Sequence, residues 1–389
     1  MIDIALRGSK RYWGWIAFLL AITGVGVAVY IVQWNVGLTI TGMSRDVSWG
    51  LYIANLTFFV GVAASAVMLV IPYYLHNQKE FGKITILGEF LAVAAVIICM
   101  LSVIVDLGQP TRMLNLILHP SPNSILFWDI LVLSGYLLLN IVIGWMILDA
   151  ENKGEPARPW VKPLIYISIP WAISIHTVTA FIYSGIAGRP FWLTALMAPR
   201  FLASAFASGP ALLILLILIL RKFTNFDAGK EAIQKIAKIV TYAIITMVFF
   251  ILLEFFTVYY SGSPHHMIHF HYLWFGAEGA SVLVPWIWTS FGLACLAIIL
   301  LVNPKTRKNE GILAIACASI FVAMWIDKGL GLVVPGFIPS QATGEYFEYM
   351  PTLPEWLIQF GVYALGALIL TLLYKIAITV KENSVSSSH

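Results

Sequence analysis

The sequence predicts an all-α integral membrane protein of ten transmembrane helices. Three observations lead there. Of 389 residues, 60% are hydrophobic and only 11% charged, with a mean hydropathy of +0.88, whereas soluble domains carry about 25% charged residues. A hydrocarbon core of about 30 Å needs about 20 apolar residues per helix, and such segments recur along almost the whole chain. Finally, Lys and Arg alternate in density from one connection to the next, as loops on two sides of a membrane do.

In order, the spans read 15–34, 50–75, 86–107, 125–149, 162–184, 200–221, 236–260, 276–301, 311–335 and 355–379. Trp13, Trp15, Trp34, Trp49, Trp128, Trp160, Trp192, Trp274 and Trp356 fall at or near their ends, where amphipathic rings sit at headgroup level. Residues 1–380 read as one polytopic domain, and the polar tail 381–389 as disordered.

Sorting basic residues by connection orients the chain. On the N-terminal side lie Arg7, Lys10, Arg11, Lys79, Lys83, Lys153, Arg158, Lys162, Arg221, Lys222, Lys230, Lys235, Lys238, Lys305, Arg307, Lys308, Lys375 and Lys381. Arg45, Arg112, Arg189, Arg200 and Lys328 fall on the other. The split of 18 against 5 uses all 23 basic residues and predicts both termini in the cytoplasm. The net charge of +4 then reports topology, and no nucleic-acid patch is visible. The first apolar run is long enough to span and no small-residue cleavage pattern follows it, so it is expected to be retained. Cys99, Cys295 and Cys317 lie within helices without zinc or cluster spacing, as packing residues do.

Four of the five far-side connections, 35–49, 108–124, 185–199 and 335–354, are long and rich in Gly, Pro, His and aromatics. Loops on a rigid scaffold carry function. Ionisable side chains inside the hydrocarbon are costly and mark pathways; here they are Glu89, Asp106, Asp129, His176, Glu254 and Glu278. Asp106 ends helix 3, Asp129 begins helix 4 and His176 occupies the outer half of helix 5, so three helices converge on one depth. Thr179 and Tyr183 follow His176 at i+3 and i+7 and share its face. A histidine with a nearby carboxylate exchanges protons near neutral pH; a hydrogen-bonded structural histidine is the competing reading. Glu89 lies about 25 Å of helix rise below Asp106 and opens a proton route from the cytoplasm, with Asn140 and Ser168 as relay points and Glu254 as a counterpart in the second half. Interhelical hydrogen bonding explains the same residues.

A membrane b-type haem needs facing axial ligands, and His176 is the one histidine deep in a predicted helix, which excludes bis-histidine haem. His265, His266, His269 and His271 cluster just beyond helix 7 as either a metal site or an interfacial segment facing a partner.

Several stretches resemble the NrfD-like family, the quinone-reactive membrane subunits of polysulfide reductase and related respiratory complexes. They are Ser48-Trp49-Gly50-Leu51-Tyr52-Ile53-Ala54-Asn55, Asp106-Leu107-Gly108-Gln109-Pro110-Thr111-Arg112 with Trp128-Asp129, and Ile175-His176-Thr177-Val178-Thr179-Ala180 with Pro199-Arg200-Phe201. Asp327-Lys328-Gly329-Leu330-Gly331, Pro335-Gly336-Phe337 and Gly344-Glu345 through Tyr349-Met350-Pro351-Thr352 are similar to one branch, the P subunits of Dsr (Hme) membrane complexes of sulfate and sulfur metabolism, with hydrogenase-2-type membrane subunits a nearby alternative within the family. The resemblance implies two four-helix bundles, helices 2–5 (about 50–184) and 6–9 (about 200–335), flanked by helices 1 and 10. It implies a menaquinone site in the first bundle near the outer face, matched here by Trp49, Tyr52, Asn55, Asp106, Arg112, Asp129 and His176, and no haem or iron-sulfur cluster in the chain itself. Electrons would then pass to or from an extracytoplasmic ferredoxin-like iron-sulfur subunit. A haem b membrane subunit, a multihaem cytochrome c and a cytoplasmic iron-sulfur subunit complete the implied complex.

The expected function is therefore electron exchange between menaquinol or menaquinone and that partner in the cytoplasmic membrane, with His176 and Asp106 or Asp129 handling protons and Trp49, Tyr52, Asn55, Arg112, Thr179 and Tyr183 around the ring. Two other classes compete. A secondary transporter requires broken helices meeting at the midplane and an inverted repeat, neither of which is clear in the sequence. A pure membrane anchor requires no quinone chemistry at all.

Overall fold

The structure, a computed structural model, describes residues 1–277 and 279–386; Glu278 lies outside the described residues. Among the described residues, ten helices are long and apolar enough to cross a membrane. They are α1 (Lys10–Ile40), α2 (Leu51–Leu75), α3 (Thr85–Asp106), α4 (Ile125–Lys153), α5 (Val161–Ser184), α6 (Met197–Phe223), α7 (Lys230–Ser261), α8 (Val284–Val302) and α9 (Glu310–Gly336), followed by α10 (Leu353–Ser386). Each matches one predicted span, so the all-α, ten-helix reading holds. Among the described residues the only β feature is an isolated bridge between Ala277 and Ala280.

Four local features differ from expectation. The sequence places the start of helix 8 at residue 276, but Gly276 and Gly279 both adopt left-handed φ near +80° and Pro285 stands in the first turn, so the helix begins at Val284. The histidine-rich segment is a helix, Pro264–Phe275, with Pro264 at its first position where the missing N–H costs nothing. Two spans are interrupted: α2 loses α-geometry at residues 64–66 and ends in a π-turn, Ile71–Leu75, while α9 carries a π-turn at Ile326–Leu330 with Gly329 non-helical. The last helix also runs past Lys381, whose ammonium lies 2.9 and 3.0 Å from the two Glu151 carboxylate oxygens on α4.

The spans differ widely in burial. The α2 window is 94% buried and that of α1 only 17%, so α2 runs through the centre of the protein and α1 lies against lipid. Helices α2, α3, α4 and α5 touch one another in a closed circuit, as do α6, α7, α8 and α9. The two circuits meet where α6 and the π-turn of α9 press on α2. Outside them, α1 packs along α10 and α10 along α3. Trp192 and Trp274 are buried in aromatic clusters rather than placed at headgroup level.

The α1–α10 contact depends on two glycines. A Cβ on Gly26 would lie 2.6 Å from Gly361 Cα, and one on Gly361 2.7 Å from Gly26 Cα, so the backbones touch, as small residues permit in membranes. Gly361→Leu should force the helices apart at a cost of about 1–3 kcal/mol, typical of overpacking. The expected readout is a lowered melting temperature of the purified protein.

Candidate functional site

The face of α5 predicted to carry chemistry is buried as one stripe. His176, Thr179 and Tyr183 are each 0% exposed. Thr179 Oγ1 lies 2.7 Å from Asp129 Oδ1 on α4 and 2.8 Å from its own helix's Ile175 carbonyl, so its single proton is shared between them. The Tyr183 hydroxyl pairs closely with Thr57 on α2. His176 is different. Both of its ring nitrogens are buried without a hydrogen-bond partner, a costly state for an imidazole.

The stripe is roofed by aromatic rings. Trp49 stacks on Trp192 at 5.7 Å and meets Tyr183 and Phe337 edge-on at 5.8 and 5.6 Å. The segment from Leu332 to Ser340, which carries Phe337, is pinned from four directions. Trp192 Nε1 donates to Leu332 O at 2.8 Å, Ser340 Oγ to Asp46 Oδ1 at 2.8 Å, and the Arg189 guanidinium lies over the Phe337 ring at 4.5 Å. The fourth anchor is His269, whose Nδ1 lies 2.9 Å from Pro335 O and 2.7 Å from Ile338 O.

The remaining expected ring residues disperse. The Tyr52 hydroxyl donates to Gln33 Oε1 on α1 at 2.8 Å, and Gln33 Nε2 to Val105 O at 2.6 Å. Asn55 Oδ1 accepts from Trp325 Nε1 at 3.0 Å and from the Tyr363 hydroxyl, facing α9 and α10. Asp106 closes α3 with Oδ1 buried and unpartnered, within electrostatic reach of Tyr52 and Tyr183. Arg112 is exposed on the Pro110–Leu114 turn. On the terminal side, both carboxylate oxygens of Glu89 are buried without a partner. They face α4 at Gly144, one turn from Asn140. Asn140 Nδ2 and Ser168 Oγ donate to carbonyls of their own helices, Tyr136 O at 2.8 Å and Ile165 O at 2.7 Å.

A second constellation is larger than the sequence suggests. Glu254 on α7 is not isolated: it pairs closely with Arg200 on α6, whose other nitrogen lies 3.4 Å from Asp327 on α9. Beside them Lys328 Nζ is buried, donating to Phe201 O at 3.3 Å and lying 4.1 Å from the Phe201 ring centroid. A Cβ on Gly61 of α2 would lie 3.2 Å from that nitrogen, and His176 is within its electrostatic reach. Arg200, Asp327 and Lys328 line a cavity of about 10 Å³, about the size of one water. Sorting charges by connection assigns Arg200 and Lys328 to the far side; both are instead inside the protein, because α6 begins at Met197 and α9 continues to Gly336. The signal available in the sequence is the adjacent Asp327-Lys328-Gly329, a charge pair beside a helix-breaking glycine.

No group of three or more His, Cys, Asp or Glu able to hold a metal occurs among the described residues. Of the histidine cluster, His269 is buried against the 335–338 loop while His265 and His271 are exposed on the other side of their helix.

Ten apolar spans enclosing an unpartnered histidine and a buried ion-pair network define a polytopic membrane protein with polar chemistry inside. A family model described as polysulphide reductase, NrfD, matches residues 39–338, and the chain belongs to that family. It is similar over 92% of its length to a putative membrane subunit of dimethyl sulfoxide reductase from Halobacterium salinarum, at 27% identity and covering 89% of that protein. The Hdr-like menaquinol oxidoreductase integral membrane subunit of Archaeoglobus fulgidus is 24% identical over 97% of this chain and 96% of its own. The menaquinone reductase integral membrane subunit of Nitratidesulfovibrio vulgaris is 21% identical over 94% and 91%.

The ion-pair network and the loop anchor are each open to test. Arg200→Gln leaves Glu254 and Asp327 buried without their cation, which should cost about 3–5 kcal/mol, read as a fall in melting temperature larger than that of Glu254→Gln. Burial pushes the His269 ring below the ordinary histidine value of 6.5, against the opposing pull of its two carbonyl bonds. The unfolded loop therefore binds the proton more readily. Anchoring of the 335–340 loop should be complete above pH 6.5 and weaken as pH falls below it. Hydrogen exchange in 334–340 should quicken on acidification in the native protein and lose this dependence in His269→Gln.

Proposed function

We propose that this chain is the quinone-reactive integral membrane subunit of a menaquinone-linked oxidoreductase complex, exchanging two electrons with an iron-sulfur partner seated on the face opposite the termini. The observation that carries the reading is His176, a buried imidazole with both nitrogens open, set against the Asp129–Thr179 pair and roofed by Trp49 and Trp192. A quinol hydroxyl or quinone oxygen supplies the missing partner, and His176 takes or returns its proton. Asp129, held by Thr179, and the unpartnered Asp106 are the carboxylates available for the second proton. The names of two relatives, a menaquinol oxidoreductase subunit and a menaquinone reductase subunit, support the same substrate class.

In this reading the two helix circuits are the two bundles implied by the family resemblance, and the basic terminal face lies in the cytoplasm. Arg45, Arg112 and Arg189 remain as the basic residues of the opposite face. Glu89 opens the cytoplasmic proton route, and the Arg200–Glu254–Asp327–Lys328 network lies between the second bundle and His176. A haem b membrane subunit, a multihaem cytochrome c and a cytoplasmic iron-sulfur subunit are the further partners of the Dsr-type setting.

One observation favours a transporter reading: the interrupted segments of α2 and α9, since the α9 π-turn packs against α2. Uptake of a solute by the isolated chain in liposomes would establish it. For the quinone reading, His176→Ala should lower quinol-linked electron transfer by the native complex by about 10²- to 10⁴-fold, the contribution of a positioned acid–base group, with the complex still assembled. A pure anchor would leave the rate unchanged.

A further inference from the structure

Glu89 is sealed into the terminal half of the first helix circuit, 2% exposed and with both carboxylate oxygens unpartnered. Four ionisable side chains stand within its electrostatic reach: Tyr74 on α2, Tyr136 and Glu151 on α4, and Lys381 on α10. Of these four Glu151 is the one carboxylate, and its side chain is 33% exposed, so it joins the surroundings of Glu89 to the water of the terminal face. Two helices align it. On α4, Asn140, Gly144 and Glu151 share one side. A Cβ on Gly144 would lie 3.2 Å from Glu89 Oε2, and Glu151 follows two turns, about 10 Å, further out. On α10 the Tyr374 hydroxyl donates to Leu87 O at 2.8 Å, which holds that helix against α3 beside Glu89. Two turns later Lys381 Nζ lies 2.9 and 3.0 Å from the Glu151 oxygens. A carboxylate in the last turn of a helix meets the negative end of the helix dipole; Lys381 offsets that repulsion and fixes where the carboxylate sits.

We propose that Glu151 is the entrance carboxylate of the Glu89 site and that Lys381 is the residue that positions it. A proton from water binds Glu151, passes to Glu89 and continues toward the quinone, leaving Glu151 as the carboxylate for the next. The inference rests on the reading of Glu89 as a proton route from the terminal side, and adds to it the group that meets solvent. The step is relayed, because about 10 Å of helix separates the two levels, and Tyr74 is the hydroxyl in reach of both carboxylates. Lys381 comes from a helix outside the circuit, so the end of α10 forms part of the entrance.

The test follows menaquinone reduction by the native complex in lipid vesicles, driven by reduced methyl viologen, a reaction that takes up two protons for each quinone. Glu151→Gln should slow it about tenfold or more near pH 8, where hydronium is scarce, and by less than about threefold near pH 5.5, where hydronium reaches Glu89 unaided. Formate or acetate, small weak acids that ferry protons, should restore about half of the lost rate or more, and Glu151→Asp should keep most of it. Lys381→Met should slow the reaction about threefold near pH 8 with the same relief by weak acids, while Lys381→Arg retains the rate. Asp149→Asn, which removes the neighbouring carboxylate paired with Lys153 at 2.6 Å, should leave it unchanged. A loss in Glu151→Gln that is equal at all pH and not relieved by weak acids would mark a structural role and overturn the proposal, as would unaltered rates in both Glu151→Gln and Lys381→Met. If Glu151→Gln fails to assemble, Lys381→Met and its relief by weak acids decide the matter. Loss in Glu89→Gln with none in Glu151→Gln would keep the route and remove this entrance; an unaltered rate in Glu89→Gln would remove the route itself.

Discussion

The polar side chains of α2 reach four other spans, because this helix is surrounded by protein on all sides and no water or headgroup can satisfy them. Within two turns Tyr52 reaches Gln33 on α1, Asn55 meets Trp325 and Tyr363 on α9 and α10, and Thr57 pairs with Tyr183 on α5. At the far end Leu51 N–H donates to the Tyr349 hydroxyl at 2.7 Å, which in turn donates to Glu355 Oε1 at 2.6 Å. Beyond the first two turns, Gly61 abuts Lys328. One helix therefore fixes the registers of the others, and a change in its position is felt at His176, at the aromatic roof and at the ion-pair network together.

The two kinds of buried ionisable group differ in how they meet their desolvation. Arg200, Glu254 and Asp327 answer it internally, by mutual charge and hydrogen bonding, an arrangement in which losing one member harms the rest. His176 and Glu89 have no such answer within the chain. A polar group left open at this depth is expensive; under the proposed function a quinol or quinone oxygen is the partner that His176 lacks. The π-turn in α9 fits the same logic. An extra residue in the turn places Asp327 and Lys328 on the buried side, and such bulges occur often at functional sites.

The helix count is legible because the bilayer imposes a length that composition reports directly: α3 is expected at 86–107 and spans Thr85–Asp106. Spacing alone also puts Thr179 and Tyr183 beside His176. Three-dimensional pairing is not legible. Nothing local to Thr179 says that Asp129 is its partner, and nothing in Asn55 says that it faces α10. Arg200 and Lys328 are misassigned for a specific reason. Sorting charges by connection treats a basic residue near a helix end as exposed, while both are retained inside by carboxylates or ring faces that come from other helices. The breaks in α2 and α9 escape as well, since hydropathy does not distinguish an α-turn from a π-turn.

The aromatic roof separates two tasks that quinone chemistry must keep apart. Trp49, Trp192 and Phe337 form a contiguous stack between the His176 stripe and the opposite face, and none of these rings offers a titratable group. Electrons can cross such a layer, whereas protons require a chain of exchangeable donors. Under the proposed function, protons taken up at His176 would then pass sideways and inward, toward Asp129, the Lys328 network and Glu89. The roof is anchored from the outer side through His269, Arg189 and Asp46 and from below through the stripe's Tyr183, which meets Trp49 at 5.8 Å and Trp192 at 5.2 Å.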